Sequence, residues 1–102
     1  MIKPYWIYIL YCENNSYYTG YTTDLHKRYE CHLSGKGSKY TRSFRPCGIA
    51  QSWKLICKKS VAMQIERNIK KLSRSQKEKL IDSPSLLEIF FKENLIDCVL
   101  LE

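Results

Sequence analysis

The chain has 102 residues, and 17 Lys and Arg against 10 Asp and Glu give it a formal charge of +7. That length supports one hydrophobic core and leaves no room for a second, and the basic excess makes polyanions, nucleic acid first among them, the natural partners, with ordinary solubilising charge as the plainer alternative. No stretch approaches the roughly 20 apolar residues of a membrane span, and 5 cysteines without zinc-type or redox-type spacing suit reduced thiols in a cytoplasmic protein.

Residues 5–12, Tyr-Trp-Ile-Tyr-Ile-Leu-Tyr-Cys, are aromatic and β-branched and too continuous for an amphipathic helix. They predict a central strand, not a signal segment, since no small-residue cleavage site follows. Residues 13–16 supply a turn, and residues 17–22 read as the returning strand of a hairpin in which Gly20 marks a bulge or a close backbone approach. Thr23 or Asp24 can cap a helix running to about Leu33, with Leu25, Tyr29 and Leu33 as its inward stripe. Ser34-Gly35 ends it. Residues 36–47 hold Gly37, Pro46 and four scattered cations and read as a basic loop, after which residues 49–57 form a third strand.

Ser60 offers a cap for a second helix, along which Ala62, Ile65, Ile69 and Leu72 recur at three- and four-residue intervals. A short helix is expected from near Ser75. Ser83-Pro84 suits the start of a last one, whose Leu86, Leu87, Ile89, Phe90 and Phe91 should dock on the domain. Residues 95–102 fit more than one kind of element. No repeat, low-complexity segment or break in composition marks a second domain.

Four features bear on chemistry. Glu66 borders an apolar stripe, where a carboxylate needs a partner: an ion pair with Arg67, Lys70 or Arg28, or a hard cation such as Mg²⁺. Arg28 and His32 are neighbours on one helix face and set a guanidinium fork, suited to phosphate, beside an imidazole; packing roles are the alternative. Six tyrosines crowd the first hairpin, and a phenol with a pKa of about 10 needs a nearby cation or proton acceptor before it can act as a base. In the basic loop, Tyr40 and Phe44 alternate with Lys36, Lys39, Arg42 and Arg45, a pattern suited to tracking a phosphate backbone with a base-stacking option.

Taken in order, these features resemble the GIY-YIG nuclease domain over residues 5–82. Trp6-Ile7-Tyr8 resembles the first motif, with Trp6 where glycine is usual, and Tyr18-Thr19-Gly20 the second, with Thr19 in its middle. Arg28-Tyr29-Glu30-Cys31-His32 is similar to the family's arginine helix, and Ile65-Glu66-Arg67 to the segment bearing its metal-binding glutamate. Residues 35–42 and 69–73 resemble the small, stand-alone bacterial members, while the family's frequent late asparagine has no counterpart where Lys70 and Lys71 stand.

The resemblance implies an α+β fold, a three-stranded antiparallel sheet flanked by helices. It implies a nuclease domain over residues 1–82, with residues 83–102 as a helical extension packed on it. The expected catalytic set is Tyr8 as base or relay, Tyr18 orienting water or a phosphate oxygen, Arg28 neutralising phosphate charge, His32 supporting by hydrogen bonding or proton transfer, and Glu66 holding one Mg²⁺ or Mn²⁺. Lys36, Lys39, Tyr40, Arg42, Arg45 and Lys70 are the expected nucleic-acid contacts. The expected activity is hydrolysis of single-stranded or branched DNA in repair or recombination, by a monomer or weak homodimer. The alternatives are an inactive DNA- or RNA-binding module, and a component of a larger assembly that docks through its last helix.

Overall fold

In the computed structural model, which describes residues 2–96 and 98–101, the aromatic and β-branched run near the N-terminus forms β1 (Ile2–Cys12). Ile7, Tyr8, Ile9 and Leu10 are all buried, so β1 is covered on both faces, which explains a continuous apolar run where a half-exposed strand would alternate. The chain reverses through residues 13–16, with Asn15 at φ 62° and the amide of Asn15 donating to the carbonyl of Cys12. It returns as β2 (Tyr17–Thr22), antiparallel to β1, with Tyr8 opposite Gly20 and Leu10 opposite Tyr18.

Asp24 caps α1 (Leu25–Leu33), its carboxylate accepting from the amide of Lys27. The expected stripe of Leu25, Tyr29 and Leu33 is only half-buried; the buried residue of this helix is His32. The helix is turned by the polar anchor that His32 makes with β1, not by its apolar residues.

The stretch expected to be a loop contains a helix, α2 (Lys39–Ser43), whose N-cap Ser38 accepts from the amide of Thr41. β3 (Pro46–Lys58) starts earlier than expected and pairs antiparallel with β1 along its whole length, with register shifts between Ile9 and Leu10 and between Tyr11 and Cys12. It passes directly into α3 (Lys59–Lys70), so Lys58 holds the N-cap position without a side-chain bond and Ser60 falls inside the first turn. Ala62, Ile65 and Ile69 of α3 are buried as their spacing requires.

Ser73 starts α4 (Arg74–Asp82) with a reciprocal capping box to Gln76. The last helix is α5 (Leu86–Phe90); it follows Ser85 and not the expected Ser83-Pro84 cap. The carbonyl of Pro84 accepts instead from the amide of Leu87 and from the indole of Trp53. Leu87 and Phe91 dock in the core as expected, whereas Ile89 is 70% exposed. The tail adds β4 (Val99–Leu101), paired antiparallel with residues 54–56 of β3, so the sheet has four strands in the order β2-β1-β3-β4 where three were expected. Three short residues of tail pattern, Val-Leu-Leu, carry too little periodicity to distinguish a strand from a helical turn.

Tyr5, Ile7, Ile9, Trp53, Leu55 and Cys57 of the sheet form the main core with Ala62, Ile65 and Ile69 of α3, Leu80 of α4, and Leu87 and Phe91 near the end of the chain. Tyr8 points away from that cluster, toward α1, and the candidate site is built around it.

Candidate active site

Tyr8 is 1% exposed, and its hydroxyl lies 2.8 Å from Nε2 of the wholly buried His32. The other imidazole nitrogen, Nδ1, lies 2.7 Å from the Thr41 hydroxyl, which reaches the Ser38 carbonyl at 3.2 Å. These contacts set a direction. A Thr41 hydroxyl that donates to the Ser38 carbonyl must accept from His32, which puts the ring proton on Nδ1 and leaves Nε2 to accept from the Tyr8 O–H. No buried side-chain polar atom is left without a partner among the described residues.

Two glycines make room for this chain of bonds. A Cβ on Gly20 would overlap the Tyr8 ring and its hydroxyl, and one on Gly37 would overlap the His32 ring at Nδ1. Gly20 therefore lets the phenol lie flat across the neighbouring strand, and Gly37 lets the segment leading to α2 close over the imidazole.

Burial sets the protonation states. Desolvation lowers the His32 pKa to about 4, with the nearby Arg28 guanidinium adding to the effect, so the imidazole is neutral and its Nε2 accepts the Tyr8 O–H hydrogen bond. Desolvation pushes Tyr8 up to about 12, against the opposing pull of Arg28, so the phenol keeps its proton at neutral pH.

In front of Tyr8 opens a cleft of about 470 Å³ lined by Tyr8, Tyr18, Arg28, Glu66, Lys3 and Lys59 among others. Thus β1, β2, α1 and α3 each deliver one of the residues singled out from sequence, with His32 directly behind Tyr8. Tyr18 packs edge-on against His32, with ring centroids 5.3 Å apart, and its other neighbour is Tyr40, stacked at 5.8 Å and 19°. Tyr40 also contacts Phe44 and bonds to Ser16, which extends the aromatic rim away from the cleft. Glu66 has 19% of its side chain exposed and pairs with Lys70 at 3.2 Å, one of the three partners its sequence position left open.

The expected nucleic-acid contacts do not gather in one place. Tyr40 joins the rim through Tyr18, and Lys70, half exposed, is engaged with Glu66. Arg42 and Arg45 line a separate depression of about 290 Å³ on the Thr41 side of His32. Lys36 and Lys39 are exposed and line neither of these regions. Sequence reasoning missed Thr41, Gly37 and Lys3. Thr41 and Gly37 act through His32, at separations of nine and five residues with no helical or strand period, and only the unusual Gly35-Lys36-Gly37 spacing hinted at a close approach.

Residues 4–79 match the profile of the GIY-YIG catalytic domain. The chain belongs to the GIY-YIG family. Its relatives include the UPF0213 protein BH0048 of Halalkalibacterium halodurans, 46% identical over 77 residues that cover 76% of this chain and 81% of that protein. The UPF0213 protein YazA of Bacillus subtilis is 44% identical over 78 residues, covering 76% and 78%. The solution NMR structure of BH0048 covers 78% of this chain and 84% of its own at 44% identity, with a TM-score of 0.49. This is a nuclease family, and the Trp6-Ile7-Tyr8 and Tyr18-Thr19-Gly20 segments lie on the two paired strands β1 and β2. α5 and β4 lie beyond the matched residues.

The cleft's donor set fits one divalent ion of the hard class. Glu66 is the acidic residue among the described cleft-lining residues, and the described residues hold no cluster of three or more His, Cys, Asp or Glu. A single carboxylate in an open cleft suits Mg²⁺ or Mn²⁺, which keep several waters, and does not suit a closed zinc-type cage.

Proposed function

We propose that this GIY-YIG domain is a divalent-metal-dependent endonuclease that hydrolyses phosphodiester bonds of single-stranded or branched DNA. The reading rests above all on the neutral His32 held 2.8 Å behind the Tyr8 hydroxyl, with the other face of Tyr8 turned to a cleft that also contains Arg28 and Glu66. A buried tyrosine with a raised pKa is a poor base alone. With its own O–H directed at Nε2 it becomes a relay: the phenol oxygen accepts a proton from an attacking water while its proton passes to His32, the negative charge building on the phosphate offsets the burial and the Arg28 charge that oppose an imidazolium, and Thr41 holds the ring.

Tyr18 lies beside Tyr8 at the cleft, where its hydroxyl orients the water or a phosphate oxygen. Arg28 donates to the non-bridging phosphate oxygens as charge builds on them, a contribution of about 3 kcal/mol for a well-placed donor. Glu66 is the residue that would hold Mg²⁺ or Mn²⁺. When bound, such an ion supplies Lewis-acid polarisation of the phosphate and stabilises the leaving oxygen. The products carry 5′-phosphate and 3′-hydroxyl ends.

Lys3 and Lys59 at the cleft, and Lys36, Lys39, Arg42 and Arg45 beyond it, offer phosphate contacts that position a strand without reading its bases. We place the protein in the cytoplasm, in repair or recombination, as a monomer or weak homodimer whose residues 83–102 belong to the same folded unit as residues 1–82 and offer a surface for a protein partner. The test is a panel of plasmid, single-stranded and branched DNA incubated with Mg²⁺ or Mn²⁺. Cleavage of the branched or single-stranded members that needs both metal and Glu66 supports the reading. Binding without cleavage in every condition replaces it with a DNA- or RNA-binding module.

A further inference from the structure

Lys70 stands one helical turn after Glu66 on α3, with its ammonium 3.2 Å from Glu66 Oε1 and 5.7 Å from the centre of the Tyr18 ring. We infer that Lys70 is a positioning residue that acts as a built-in counter-ion at the metal seat, holding the Glu66 carboxylate until a divalent cation displaces it. The inference rests on the reading of Glu66 as the metal-holding residue.

Three observations carry it. An ammonium and a hard dication compete for the same carboxylate oxygens, and Glu66 is the acidic residue among the described lining of the cleft, so the two compete for one site. The exposures differ in the direction that displacement needs: the Lys70 side chain is 47% exposed and can swing outward, while that of Glu66 is 19% exposed and is held in place. Finally, the ammonium that touches Glu66 lies at the same time over the face of the Tyr18 ring, a cation–π contact that helps to hold it against the carboxylate in the free protein.

The cleft is otherwise positive, lined by Arg28, Lys3 and Lys59. A metal ion approaching Glu66 in the free protein therefore meets repulsion, with Lys70 as the cation in direct contact with its ligand. A phosphate group reverses this by bringing negative charge. The arrangement keeps metal affinity low in the free protein and raises it when nucleic acid is present, so metal and substrate bind cooperatively.

The experiment is Mn²⁺ binding to the full chain without DNA, read from the loss of the free-ion electron paramagnetic resonance signal. Lys70→Met and Lys70→Gln are expected to bind Mn²⁺ about tenfold more tightly than the wild type, because each removes a neighbouring positive charge. Lys70→Arg should stay near the wild-type affinity, and Glu66→Gln should abolish binding in every background. Thermal unfolding checks that each variant is folded, and two neutral replacements keep the test open if one of them is not. Unchanged or weaker binding in both neutral variants, with dependence on Glu66 retained, overturns the inference and leaves the metal-holding role of Glu66 standing. Binding indifferent to Glu66→Gln overturns both.

Discussion

His32 explains why Tyr8 sits as it does. It is wholly buried between the Tyr8 and Thr41 hydroxyls, which makes it a neutral acceptor at one nitrogen and a donor at the other. This gives a stability signature. The His32 pKa falls from about 6.5 to about 4 on folding, so the unfolded chain binds more protons between those values. The contribution is therefore complete above pH 6.5 and is lost as pH falls toward 4, by at most about 3 kcal/mol. Urea midpoints measured between pH 7 and 4.5 should fall for the wild type and fall less for His32→Gln. For catalysis, Tyr8→Phe keeps the packing and removes the proton relay; cleavage should drop about 100-fold or more with DNA affinity within a factor of about two. A matching loss of affinity would reassign Tyr8 to binding.

Among elements, β1 is legible as a continuous apolar run buried on both faces, and α3 by the apolar stripe along one face. Errors arose where a polar contact across the fold decided the outcome. α1 is turned by the bond from His32 to Tyr8, which no period in its own sequence reveals, and α2 forms because Ser38 caps it and Thr41 is drawn under His32. Four of the residues singled out from sequence, Tyr8, Tyr18, Arg28 and Glu66, share one cleft, so their proximity was legible. Its supporting parts were not, because Thr41 and Gly37 matter only through contacts made after folding. The C-terminal elements make a prediction of their own. Leu87 is 0% exposed within the core, so Leu87→Ala should cost about 2–5 kcal/mol in chemical denaturation. A loss under about 1 kcal/mol would mean that α5 is dispensable to the core.

At the scale of the whole molecule, the chain carries a net charge of +7, and Lys3, Arg28 and Lys59 line the cleft while Arg42 and Arg45 line a separate depression, so the proposed nucleic-acid substrate has more than one basic surface to follow. Binding should be governed by phosphate contacts. Three or four of them would weaken affinity for duplex oligonucleotides of unrelated sequence roughly 40- to 150-fold between 50 and 200 mM salt, and for single strands roughly 20- to 50-fold, measured by fluorescence anisotropy. In the proposed function, the step from binding to cutting depends on the Glu66 carboxylate. The most direct measurement compares wild type and Glu66→Gln for cleavage of branched DNA in Mn²⁺, with DNA affinity recorded in parallel. Metal-dependent cleavage by the wild type, lost by at least about 100-fold in Glu66→Gln at unchanged affinity, is the expected result. Equal cleavage by the two proteins, or none by either, would contradict the account.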